Sequence, residues 1–116
     1  MNLRIQSPAN LIDFAELVQA RSRLMWSVAR EMYDGGETWS VRHDDALLMV
    51  GGLYPFDPET GEAWFCAAPE AAPHMLSLIR AIRLTLWRSR YREIVTLVQS
   101  DAGRRIARAV GFSFFK

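Results

Sequence analysis

The sequence is poor in the residues that build cross-links and metal centres. Its 116 residues include one cysteine, Cys66, and two histidines, His43 and His74. A lone cysteine excludes an intramolecular disulfide and any cysteine-based metal cluster. Two histidines 31 positions apart are a poor start for a zinc site, so no metal is expected. No apolar run approaches the ~20 residues that a membrane span needs. No internal repeat or low-complexity segment appears. The opening residues 1–5 (MNLRI) lead into structured-looking sequence. No signal peptide is therefore expected, and the expected compartment is the cytosol of a bacterium or of an infected bacterium.

What is present is ordinary for a globular chain. Half the residues are apolar and 23% are charged, which excludes intrinsic disorder. The length fits one domain over 1–116, with one real core. The formal net charge of +1 hides an asymmetry. Residues 1–73 carry 5 Arg against 11 carboxylates, whereas residues 74–116 carry 8 Arg and Lys116 against Glu93 and Asp101. Such a basic half is either a solvated helix face or a surface for an anion: phosphate, nucleic acid or an acidic protein.

Periodicity divides the chain. Residues 2–6 alternate as a short strand. Ser7 can cap a helix with Pro8 at its first position. Leu11, Phe14, Ala15 and Val18 repeat at helical spacing, as do Met25, Val28, Ala29 and Met32, so two helices or one bent helix are expected before Asp34-Gly35-Gly36. Residues 38–42 form a half-buried strand, and His43-Asp44-Asp45 a turn. The run ALLMVGGLY (46–54) is a central strand whose Gly51-Gly52 marks a bulge or a close approach. A turn-rich loop, PFDPETG, leads to the strand 62–67 (EAWFCA), making a hairpin. After a Pro/Ala-rich connection, residues 74–90 form the best helix. Its stripe is Met75, Ile79, Ile82 and Leu86, flanked by Leu78 and Trp87. A buried strand follows over 92–99, then a helix over 102–110 capped by Ser100 or Asp101. Gly111 stops that helix, and residues 112–115 read as a final strand. The strand–helix–strand unit across 74–90 makes its two strands parallel. The expected fold class is α/β or α+β, with one mixed sheet in the order β-α(α)-β-β-β-α-β-α-β.

Four segments carry a resemblance to the GNAT N-acetyltransferase superfamily: ALLMVGG, GEAWFCAAPE, PHMLSLIRAIRLTLWRSR and YREIVTLVQSDAGRRIARAVGF. They resemble the family's third strand, its fourth strand and exit, its cofactor-side helix, and its fifth strand with the last helix and terminal Gly-Phe. Within the superfamily the chain looks like the small GNAT-like internal virion proteins of podophages, through its Gly-Gly strand, its Trp-Phe strand and its glycine-free helix start. The resemblance implies acetyl transfer from acetyl-CoA to an amine. It also implies a cofactor lodged where the fourth and fifth strands splay apart, here Phe65, Cys66 and Ala67 opposite Val98, Gln99 and Ser100, with His74 at the start of the helix. A phage protein of this kind without activity would instead meet phage or host proteins, with the virion as its alternative location.

Direct transfer needs free strand-edge N–H groups, donors for the pyrophosphate, and a base for the amine. Glu62 lies where the family often places its base, and His43, whose imidazole can accept a proton, is a second candidate. Cys66, in an apolar strand, reads as a small core residue rather than a nucleophile. Two departures stand out. The connection AAPEAAPH (67–74) has no glycine, and two prolines remove donors. The family's usual Tyr acid falls on Ala107. The arginines Arg83, Arg90, Arg92, Arg104, Arg105 and Arg108 come with no helix-turn-helix spacing or stacking motif, which argues against nucleic acid. Trp87 fits the apolar stripe better than a stacking role. A sheet that ends with residues 112–115 exposes an edge. That edge is expected to pair with another chain, giving a homo-oligomer, or to be covered by the N-terminal segment.

Overall fold

The computed structural model describes residues 3–98 and 100–113. One mixed five-stranded sheet runs in the order β1-β2-β3-β4-β5, with β1 Leu3–Gln6, β2 Glu37–His43, β3 Ala46–Pro55, β4 Thr60–Ala67 and β5 Glu93–Thr96. The first four strands form an antiparallel meander, and β5 joins β4 in parallel, as the intervening helix dictates. The α+β class with a single mixed sheet is as the sequence implies.

Two helices, α1 Leu11–Leu17 and α2 Arg23–Gly35, fill the first crossover. The cap differs from the expectation. Asn10, not Ser7, accepts the N–H groups of Ile12 and Asp13 at 3.0 and 3.1 Å, and α1 starts three residues beyond Pro8. Ser7 instead donates its hydroxyl to the Thr38 carbonyl at 2.9 Å, tying the chain to β2. Ser22 caps α2. Both helices lie against β3, and Phe14 meets the Trp64 ring edge-on at 5.0 Å on that face.

The other face carries α3 Met75–Trp87 and α4 Asp101–Val110. Leu78 and Ile82 of α3 and Val110 of α4 close over Val41 and Met49, with Phe65 packed beside them. Burying a side chain such as Leu78 stabilises the fold by about 2 kcal/mol. Trp87 lies outside this stripe. It is 86% exposed at the last turn of α3, because the helix ends there and none of the described residues covers it.

Gly52 is a close approach rather than a bulge. A Cβ there would stand 2.6 Å from the Glu37 carbonyl and 2.7 Å from the Trp64 ring. The extra residue of the β2–β3 ladder is Leu48, where pairing steps from Val41↔Met49 to Arg42↔Leu47. Gly111, at φ 122°, ends α4 as predicted. The final strand is not found at Phe112 or Ser113. Residues 114–116, like residues 1–2 and Gln99, lie outside the described residues. β1 pairs with β2 at the opposite edge of the sheet, so it does not cover β5.

Candidate functional site

The ladder between β4 and β5 is short. Pairing runs from Thr60↔Glu93 to Ala63↔Thr96 and ends there, where the Thr96 hydroxyl donates to the Ala63 carbonyl at 2.7 Å. β4 continues for four more residues, to Ala67, with β3 as its only strand neighbour among the described residues. The two strands part because β5 is four residues long and the chain then turns into α4.

The parting opens a cleft of about 410 Å³. Phe65 and Ala67 line one wall, Val98 and Ser100 the other, and Leu78 and Ala107 stand behind them. Four of the expected cofactor residues therefore meet here. Gln99 lies outside the described residues. Cys66 does not line the cleft: it is half-buried, and burial pushes its thiol pKa up, as expected of a packing residue rather than a nucleophile. Ala107 lines the cleft and brings no proton donor to it. The cleft's hydroxyls are committed elsewhere. Thr96 donates to Ala63, and Ser100 accepts the Gly103 N–H at 3.0 Å as the cap of α4.

The start of α3 shows why glycine is missing. A 3-10 turn, Pro69–His74, runs directly into the helix. The Ala71 N–H bonds the Ala68 carbonyl, and the Met75 N–H bonds that of Ala72. Those two N–H groups are spent on the chain's own carbonyls, and Pro69 and Pro73 supply none. The fit to a coenzyme thioester is thus uneven. The apolar, half-unpaired cleft suits its extended arm, while the start of α3 does not suit its pyrophosphate.

His74 precedes α3 without capping it by its side chain. Its ring stacks on His43, with centres 4.5 Å apart and planes at 33°. His43 closes β2, and its Nδ1 lies 3.6 Å from an Asp44 carboxylate oxygen. The structure places this pair far from Glu62. His43 pairs with Ala46 and Glu62 with Tyr54, eight steps along β3, which is about 27 Å at strand spacing. The two candidate bases cannot serve one reacting atom. Glu62 is the one near the parting of the strands: it pairs with Val95, one step before the last pair, Ala63↔Thr96.

Glu62 points to the α2 side of the sheet. There a hollow of about 400 Å³ is lined by Ser27, Val28, Glu31, Met32, Tyr54 and Glu62. The Tyr54 hydroxyl donates to Glu31 Oε1 at 2.6 Å. That bond, with burial and the Glu31 charge, pushes the Tyr54 pKa up. Tyr54 and Glu31 were missed by sequence reasoning. The one signal was the hairpin, whose register sets Tyr54 directly across from Glu62. Trp64, on the same face, holds a buried Nε1–H without a partner. Among the described residues no cluster of three metal-ligating side chains forms, and no helix is long and apolar enough to cross a membrane.

No sequence family matches the chain, and no curated protein does. Solved structures do. A GNAT family acetyltransferase from Elizabethkingia anophelis with acetyl-CoA bound superposes with a TM-score of 0.72 at 19% identity, covering 99% of this chain and 78% of that one. An IAA acetyltransferase from Bacillus cereus gives 0.72 at 16% identity, covering 99% and 79%. A ribosomal-protein-alanine N-acetyltransferase from Brucella melitensis biovar Abortus gives 0.65 at 15% identity, covering 99% and 97%. The chain has the fold of the GNAT acetyltransferases.

Proposed function

We propose that the chain is an N-acyltransferase that moves an acetyl group from acetyl-CoA to an amine. One observation carries this reading: β4 and β5 part over an apolar cleft on the α3 side, and a carboxylate, Glu62, lies one residue before the parting and faces the α2 side. When bound, acetyl-CoA would supply an acyl group activated as a thioester. Phe65, Ala67, Val98 and Ser100 would hold its arm, with the unpaired backbone edge of β4 beside it. The acceptor would come from the α2 side, through the hollow of Glu31 and Tyr54. Glu62 would take the proton of the attacking amine as the N–C bond forms and the C–S bond breaks, the thiol leaving with a proton from solvent. The neighbours' bound acetyl-CoA and shared fold support this reading.

A second reading is favoured by the closed start of α3. Here the chain is a catalytically silent protein of the same fold, a phage virion component or an interaction module, whose arginines face an acidic protein. Its phage origin rests on the sequence resemblance alone.

Thiol release from acetyl-CoA in the presence of a panel of amines separates the two. The first reading expects turnover that falls about 100-fold in Glu62→Gln and is kept in His43→Gln. Loss of turnover in His43→Gln with Glu62→Gln unaffected would reverse the assignment of the base. No turnover with any amine would favour the silent protein.

A further inference from the structure

The tip of the β3–β4 hairpin presents an apolar anchor beside two carboxylates. Phe56 is 73% exposed. The turn beneath it is closed by its own bonds: Asp57 Oδ1 accepts the Glu59 and Thr60 N–H groups at 2.8 and 2.7 Å, and the Phe56 N–H donates to the Thr60 carbonyl. The Glu59 and Thr60 N–H groups also hold the Asp57 carboxyl below its ordinary pKa, so it stays charged. Neither Asp57 nor Glu59 has an ion pair among the described residues. A backbone already ordered loses little entropy on docking.

Beside this hairpin lies a groove of complementary chemistry. It measures about 740 Å³ and runs between the last turns of α3 and the segment Val110–Phe112. Leu84, Leu86 and Ile94 give it an apolar floor, the exposed Trp87 a wall, and Arg80 and Arg83 its charge. Among the described residues no carboxylate lines it. Arg80 and Arg83 also lack an ion pair among the described residues. Trp and Arg around an apolar floor are what protein anchors dock against.

The two features share one end of the molecule. The Arg92 and Glu93 N–H groups both donate to the Glu59 carbonyl, at 2.9 and 3.1 Å, so the hairpin touches the start of β5 one residue from Ile94. An anchor and a groove this close can be exchanged reciprocally between two copies about a two-fold axis, which closes the assembly. We propose that the chain self-associates as a two-fold dimer, with Phe56 of each copy seated in the Arg80–Arg83–Trp87 groove of the other and Asp57 and Glu59 facing those arginines. The occupant is a second copy because the chain itself carries both halves, with matched charge. The reciprocal arrangement uses each patch twice, which helps to reach the roughly 1,200 Å² that a stable interface buries.

Sedimentation of the full chain over a wide concentration range, at low and high salt, tests this. The expected result is a monomer–dimer equilibrium that weakens as salt rises. Phe56→Ser and Trp87→Ser should each weaken it by about 30-fold, with circular dichroism unchanged because both side chains are exposed. Glu59→Arg should weaken it too, and adding Arg83→Glu to that variant should restore it. A monomer at every concentration, an open series of larger species, or a dimer indifferent to both Phe56→Ser and Trp87→Ser would overturn the proposal. None of these residues lies in the cleft or the Glu62 hollow, so the outcome is independent of whether the chain transfers acetyl groups.

Discussion

The two helix starts beside the cleft differ in what they leave open. α3 is reached through a 3-10 turn where the Ala71 and Met75 N–H groups bond the chain's own carbonyls and two prolines bring no N–H. α4 begins abruptly at the Ser100 cap, on the wall of the cleft, with Asp101 in its first turn. One start spends the Ala71 and Met75 N–H groups on backbone carbonyls, and the other spends the Gly103 N–H on the Ser100 hydroxyl. The same contrast runs along β4. Its first half is bound to β5 as far as Ala63, and its second half has lost that neighbour. The cleft therefore offers an extended ligand a strand edge and apolar walls, and an anion no ready cradle at α3. Specificity for a coenzyme would have to come from the acyl arm and from the arginines around the last helix.

Substitutions can break this contrast from either side. The largest effect is expected at Leu78, fully buried behind the cleft. Leu78→Ala should cost about 3 kcal/mol of stability, read by urea unfolding, and widen the α3 side of the cleft. Next comes the latch where pairing ends. Thr96→Val removes the hydroxyl bond to Ala63 and should cost about 1.5 kcal/mol, since the carbonyl is left without its donor. Ser100→Ala removes the only side-chain cap of α4 and should cost about 1 kcal/mol by the same measurement. The smallest effect is chemical. Burial raises the Cys66 pKa, so its thiolate fraction at pH 8 lies below that of a free cysteine. Alkylation of the native chain at that pH should be slower than that of the urea-unfolded chain, and should speed up as pH rises.

Much of the fold was legible because it rests on local pattern. The apolar run 46–54 had to be a central strand, and a helix between two strands had to make them parallel. What failed depended on tertiary placement. Ser7 and Asn10 are both good caps, and only the bond of Ser7 to Thr38 shows why Asn10 takes the role. Trp87 sits one residue beyond Leu86 on a plausible stripe, and its exposure follows from where α3 stops. The site was legible in part. Phe65, Ala67, Val98, Ser100 and Glu62 fall where the strands part. His43 and His74 were read as separate residues with separate tasks, and they meet because β2 ends beside the 3-10 turn. Glu31 and Tyr54 lie 23 residues apart on a helix and a strand, a distance no spacing rule bridges.

The asymmetry of charge also takes a definite form. The basic half is not a tail. It is α3, β5 and α4, the side of the molecule that walls the cleft and carries the Trp87 groove. Acetyl-CoA binding tests the account most directly. If the parted strands hold the thioester arm, thermal or chemical unfolding of the full chain should show added stability with acetyl-CoA, reaching about 2.7 kcal/mol at 100 times its dissociation constant. An unfolding curve unmoved by millimolar acetyl-CoA would contradict it.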